Sequence, residues 1–222
     1  MKTNYPFAAV LFDMDGTLVD NVPLHQQVWR EFACRHGLNP SKEELEFAKG
    51  RRASEVVAYL FGEALSQVEM LRLTQESQIL YRERLTATDV VRLVPGVVAF
   101  LSGLVKLGVP RILATDASAA NVEAHFTKFG LSPYFDAVIT SEDVQHGKPD
   151  PEIYLLGAQR ASAQPEDCLV AEDSAAGVAA AKAAGCFCLG LTTTQPEADL
   201  KREKADFIVS DYTTLPLTVA IV

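Results

Sequence analysis

Residues 9–20 read AVLFDMDGTLVD. Four apolar residues end in two acids one position apart, Asp13 and Asp15, with Gly16 and Thr17 directly behind them. A short, uniformly apolar run closed by turn-forming residues predicts a strand covered on both faces. Carboxylates this close repel each other, so their place at a strand end calls for a shared cation or a reaction.

Runs of the same kind recur. Val-, Ile- and Leu-rich stretches at 8–12, 111–115, 137–140, 168–171, 187–191 and 207–209 predict strands. Helix-length segments at 119–129, 151–161 and 175–184, with a shorter one at 197–201, lie between the later ones. Apolar strands alternating with helices specify an α/β fold with a parallel sheet. Ser118 and Ser174 stand where helices should be capped, Gly130 and Gly185 where they should stop. Residues 21–94 break the rhythm: 23–36, 41–49, 53–61 and 66–86 are helical in pattern. Ser41 with Glu44 makes a capping box. Pro95-Gly96 then restarts the alternation. The expected organisation is an α/β core from 1–20 and 95–222 and an inserted helical cap domain at 21–94.

Composition narrows the function. Of 222 residues, 48% are hydrophobic and 22% charged, enough apolar residue for a sizeable core. A net charge of -9 without a basic stripe argues against a nucleic acid or an anionic membrane as partner. Cys34, Cys168, Cys186 and Cys188 show no C-x-x-C spacing and read as core thiols in a reducing compartment. No signal peptide precedes the first strand, and no apolar stretch reaches the roughly 18 residues of a membrane span. The expectation is a cytoplasmic monomer acting on a small molecule.

Ligands of parallel α/β sheets bind beyond the carboxyl ends of the strands. Asp13 and Asp15 lie past the first strand end, Thr115 and Asp116 at the second, and Glu172 and Asp173 at the fourth. Lys148 follows the third strand within HGKPDP. Taken singly, each has a bland reading: an Asp-Gly turn, a surface lysine, an acidic helix start. An EF-hand fails on spacing, because Leu18 and Leu24 fall where its Gly and Glu are required. Together the residues form an acid pair, metal-binding acids, a hydroxyl donor and an ammonium. That set suits magnesium-assisted phosphoryl transfer to a carboxylate.

Motifs Asp13-Met14-Asp15-Gly16-Thr17-Leu18, Thr115, Lys148 and Glu172-Asp173-Ser174, in this order, resemble those of the haloacid dehalogenase superfamily. The resemblance is to its branch with a helical cap after the first strand, and it implies a doubly wound, Rossmann-like core. It further implies Asp13 as nucleophile and Asp15 as general acid and then base. Mg2+ would be held by Asp13, Asp173 and the main-chain carbonyl of Asp15, with Glu172 holding ligands or waters beside them. Thr115 and Lys148 would bind the transferring phosphoryl group. Dehalogenases and phosphonate-cleaving members lack an acid at the Asp15 position, and the latter use a cap lysine, for which Lys49 is the candidate.

Stretches NVPLHQQVW and FAKGRRASEVV are similar to the β-phosphoglucomutase and sugar-phosphatase subgroup. By that similarity His25 would poise the general acid, and Lys49, Gly50, Arg51 and Arg52 would form the cap loop that meets substrate. Either arginine contacts a sugar or phosphate, or simply faces solvent. The mutase pattern has an arginine where Ala53 aligns and Ser-Lys-Asn where Ala117, Ser118 and Ala119 align, so contacts for a second phosphate are depleted. Asp116 beside the phosphate-binding threonine would repel a dianion unless its side chain turns away, as in capping the next helix. Asp116 and Ala117 remain candidate substrate contacts. The expected activity is a phosphatase of a sugar or polyol phosphate, with β-phosphoglucomutase as the rival enzyme. A receiver-type phospho-aspartate signalling domain is disfavoured by Asp15 and by the cap.

Overall fold

The computed structural model describes residues 5–48, 51–62, 64–215 and 219. The chain divides into two compact units, Met1–Asp20 with Leu93–Val222, and Asn21–Arg92.

The first unit is built on a six-stranded sheet. In chain order its strands are β1 (Ala9–Phe12), β2 (Arg111–Ala114), β3 (Ala137–Ile139), β4 (Cys168–Glu172), β5 (Phe187–Leu191) and β6 (Phe207–Val209). All pairings are parallel, and the spatial order is β3-β2-β1-β4-β5-β6. This is the doubly wound Rossmann-like arrangement, whose strand order reverses between β1 and β4. Register places Phe12 beside Leu113 and Ala171, so the loops after β1, β2 and β4 leave the sheet at one level.

Alternate residues of each strand enter opposite cores, which explains the uninterrupted apolarity. Ala9, Leu11, Ile112, Ala114, Cys168 and Val170 pack with Tyr154 and Val178 on one face. There lie the helices 152–160 and 175–183. On the other face Phe12 meets Phe100 and Phe135 edge-on, at centroid distances of 6.1 and 5.8 Å. The helix carrying Phe100 is one that the sequence reading passed over.

Helices are numbered through both units. The second unit holds α1 (Val22–Arg35), α2 (Lys42–Phe47), α3 (Ala53–Phe61) and α4 (Gln67–Ala87). Ser41 and Ser66 open α2 and α4 with reciprocal capping boxes to Glu44 and Glu69. Arg84 donates to both oxygens of Glu31, tying α4 to α1. The first unit holds α5 (Val97–Leu107), α6 (Ala119–Phe129), α7 (Glu152–Arg160), α8 (Ala175–Ala183) and α9 (Glu197–Arg202). Ser118 and Ser174 cap α6 and α8 through their hydroxyls, and α6 stops at the left-handed Gly130.

Three readings need correction. Helix α5 was not anticipated. Residues 92 and 93 form a two-residue strand inside the stretch read as wholly helical, too short to show any periodicity. Cys34 is exposed on α1, whereas Cys168, Cys186 and Cys188 are buried. Among the described residues no helix is long and apolar enough to cross a membrane.

Candidate functional site

Beyond the switch point of the sheet the chain gathers buried charge. Asp13 follows β1 directly, Glu172 is the last residue of β4, and Asp173 comes next. One carboxylate oxygen from each lies within 4.8 Å of the other two. Lys148, on the loop between β3 and α7, brings its ammonium into the group. Its Nζ lies 2.6 Å from Asp13 Oδ1 and 2.7 Å from Glu172 Oε1, and also donates to the Ala114 carbonyl at 3.2 Å.

The positions are fixed from behind. Asp116 accepts the backbone N–H of Lys148 on Oδ2 at 3.0 Å, holding the lysine loop to the end of β2. Asp116 therefore turns aside to grip that loop, while Ser118 caps α6. Thr17 Oγ donates to Asp173 Oδ1 at 3.1 Å. Gly16 adopts φ +77°, and a Cβ there would overlap the Asp173 carboxylate. Only glycine supplies both the turn and the space.

Glu172 has its acceptors filled. Oε1 receives Lys148 and, at 2.6 Å, the hydroxyl of Tyr154. Oε2 receives the backbone N–H groups of Asp173 and Ser174 and the Ser174 hydroxyl, at 3.0, 3.2 and 3.1 Å. Burial alone would raise the Glu172 carboxyl, but Lys148, Tyr154 and the Ser174 N–H bring it below the usual range. Its neighbours differ. Burial pushes Asp13 well above the ordinary carboxylate value; Lys148 opposes this, while Glu172, Asp173 and Asp15 reinforce it. Asp173 is pushed up to about 7 by burial and by the charge of Glu172, against the hydrogen bond from Thr17. Burial opposes the charge on Lys148, yet Asp13, Glu172 and Asp116 hold its ammonium well above its ordinary value.

Among the described residues, three buried carboxylates face one ammonium. That imbalance, with hard oxygen donors converging, fits a divalent cation. The oxygens of Asp13 and Asp173 are the ones available to it, since those of Glu172 are spent. A second group, His146, Asp150 and Glu152, is more exposed. Its acids already accept local backbone N–H groups.

The remaining candidates sit as follows. Asp15 carries a partly exposed carboxylate, 3.9 Å from the fully buried imidazole of His125 on α6. Thr115 is buried, its N–H bonded to the Ile139 carbonyl and its hydroxyl accepting the Ala117 N–H. In the helical unit, His25 stacks on Tyr81 at 4.3 Å, and Asn21 Nδ2 lies 2.6 Å from the Tyr81 hydroxyl and 3.3 Å from His25 Nε2. The Arg51 guanidinium covers the Phe47 ring at 4.1 Å and pairs with Glu55 at 3.5 Å. Arg52 is the N-cap residue of α3. Lys49 and Gly50 lie outside the described residues.

Sequence reasoning gave no part to Thr17, Tyr154 or His125. Thr17 stands inside the opening motif and was readable there as a polar residue beside the acids. Tyr154 and His125 lie on apolar helix faces, where an aromatic ring reads as core.

The family model described as haloacid dehalogenase-like hydrolase matches residues 7–185. Hexitol phosphatase A of Escherichia coli is 34% identical over 211 residues, covering 94% of this chain and 93% of that protein. Beta-phosphoglucomutase of Bacillus subtilis is 30% identical over 218 residues, covering 94% and 92%. A solved HAD hydrolase of family IA, variant 3, from Entamoeba histolytica superposes with a TM-score of 0.88 at 28% identity, covering 95% of this chain and 97% of that one.

Proposed function

Because the chain belongs to the haloacid dehalogenase-like hydrolase family, we propose that it is a magnesium-dependent phosphatase of a small sugar or polyol phosphate. In this reading it works as a cytoplasmic monomer through an aspartyl-phosphate. The observation that carries it is the grouping of Asp13, Lys148, Glu172 and Asp173 at the switch point, with Asp15 two residues from the nucleophile.

Asp13 attacks phosphorus, and the bond from phosphorus to the leaving oxygen breaks as Asp15 delivers a proton to that oxygen. The alcohol leaves and Asp13 carries the phosphoryl group. Asp15, now a carboxylate, takes a proton from water as the water oxygen attacks phosphorus. Inorganic phosphate departs and Asp13 is regenerated. Lys148 favours the anionic nucleophile from 2.6 Å and, with Thr115, neutralises or donates to the phosphoryl oxygens. Asp13, Asp173 and the main-chain carbonyl of Asp15 are the groups that would hold magnesium. When bound, the ion supplies the positive charge that three carboxylates and a phosphate dianion lack.

Substrate class follows from resemblance to the hexitol phosphatase and from the helical unit. Of the cap arginines, Arg51 is held by Phe47 and Glu55, with its charge partly spent. Ala53 and Ala117 offer no side-chain donor for a second phosphate, which favours hydrolysis over the mutase reaction.

The test is phosphate release from a panel of sugar and polyol monophosphates, with and without magnesium, using Asp13→Asn as the blank. Magnesium-dependent release that the substitution abolishes is the expected result. With β-glucose 1-phosphate and a trace of the 1,6-bisphosphate, glucose 6-phosphate forming faster than free phosphate would replace the phosphatase by the mutase.

A further inference from the structure

Tyr154 is wholly buried on α7, with its hydroxyl given to the carboxylate oxygen that also receives Lys148. Its ring lies under the same ammonium, 5.0 Å from Nζ to the ring centroid. The three donors of that ammonium go to Asp13, Glu172 and the Ala114 carbonyl. Position and charge of Lys148 are thus divided between the nucleophile on one side and Glu172 on the other.

We infer that Tyr154 is a positioning residue that sets this division: by occupying part of Glu172 Oε1, it limits the pull of Glu172 on Lys148 and keeps the ammonium turned toward Asp13. The inference rests on the proposed role of Lys148 in binding the phosphoryl group. Without the hydroxyl, the ammonium is the only donor to Oε1 among the described residues. Lys148 then shifts toward Glu172, away from Asp13 and from phosphoryl oxygens. The ring under the ammonium is retained in a phenylalanine, so Tyr154→Phe isolates the hydroxyl.

The measurement is the inhibition constant of inorganic phosphate together with KM and kcat, in the full chain with magnesium, on whichever sugar phosphate the panel selects. For Tyr154→Phe the phosphate inhibition constant and KM should rise about tenfold, the scale of one hydrogen bond to a charged group. Site-specific 3-fluorotyrosine at 154 keeps the shape and strengthens the O–H donor, so it should move both constants the opposite way. This second variant serves if the phenylalanine chain folds poorly. A purely structural Tyr154 would lower the melting temperature and the active fraction, leaving both constants within twofold of wild type; that result overturns the inference. Lys148→Met is run in parallel. If it keeps full, phosphate-sensitive hydrolysis, the role of Lys148 falls and the inference with it. If it abolishes hydrolysis while Tyr154→Phe and the fluorotyrosine leave the constants unmoved, only the inference falls.

Discussion

A methyl group at Gly16 would occupy the space of the Asp173 carboxylate, and it would sit on backbone at φ +77°. The backbone term alone costs about 1–2 kcal/mol. Gly16→Ala is therefore expected to lower the melting temperature by at least about 2–4 °C. It should also abolish the stabilisation by magnesium, read as the loss of the thermal shift on adding the ion. A variant that keeps a wild-type magnesium shift would mean that Asp173 does not hold the metal. The acids of the first motif were legible because their chemistry is local, two carboxylates and a glycine inside four positions. Tyr154 was not. Its hydroxyl matters only through a partner 18 residues away, brought to it by the packing of α7 on the sheet.

Helices show the same division between local and non-local signals. Ser118 and Ser174 announced α6 and α8, and both hydroxyls make the cap bond. Ser118→Ala should cost about 1 kcal/mol of stability. An unchanged melting curve would show that Glu142, which accepts the Ala119 N–H, does the capping instead. Helix α5 shows why a period can hide. Its buried residues Val97, Phe100, Leu101 and Leu104 keep helical spacing, but Val98 and Val105 on the outer side are apolar too. Ser102 and Lys106 are the only polar side chains in VVAFLSGLVKL, so the stretch reads as an apolar run although its buried positions keep helical spacing. The six strands of the main sheet were read nearly to the residue; β1, β2 and β4, covered on both sides, leave plain apolar runs between polar ends.

On the scale of the whole molecule, the carboxylate cluster makes stability depend on pH and metal together. Burial and the charge of Glu172 push the Asp173 carboxyl up to about 7 in the folded chain, from an ordinary value of about 3.9 when unfolded. Between these values the folded chain binds a proton that the unfolded chain has lost, so metal-free stability contributed by this group falls as pH rises through the window. Asp173→Asn, which imitates the protonated form, should match wild type near pH 4 and melt progressively higher than it toward pH 8, without metal. Parallel melting curves across that range would remove Asp173 as the source. Magnesium requires the Asp173 carboxylate deprotonated, so through this group alone its affinity should fall by up to tenfold per pH unit below about 7, measured by titration calorimetry. The bond between Thr17 and Asp173 spans 156 residues of chain, and this has a consequence for the protein as it is made. A nascent chain ending before β4 already contains Asp13 and its countercharge Lys148, but it lacks the second carboxylate. In the proposed reading the cation can be captured only after the fourth strand has emerged and paired beside the first, so metal capture is a late event of synthesis.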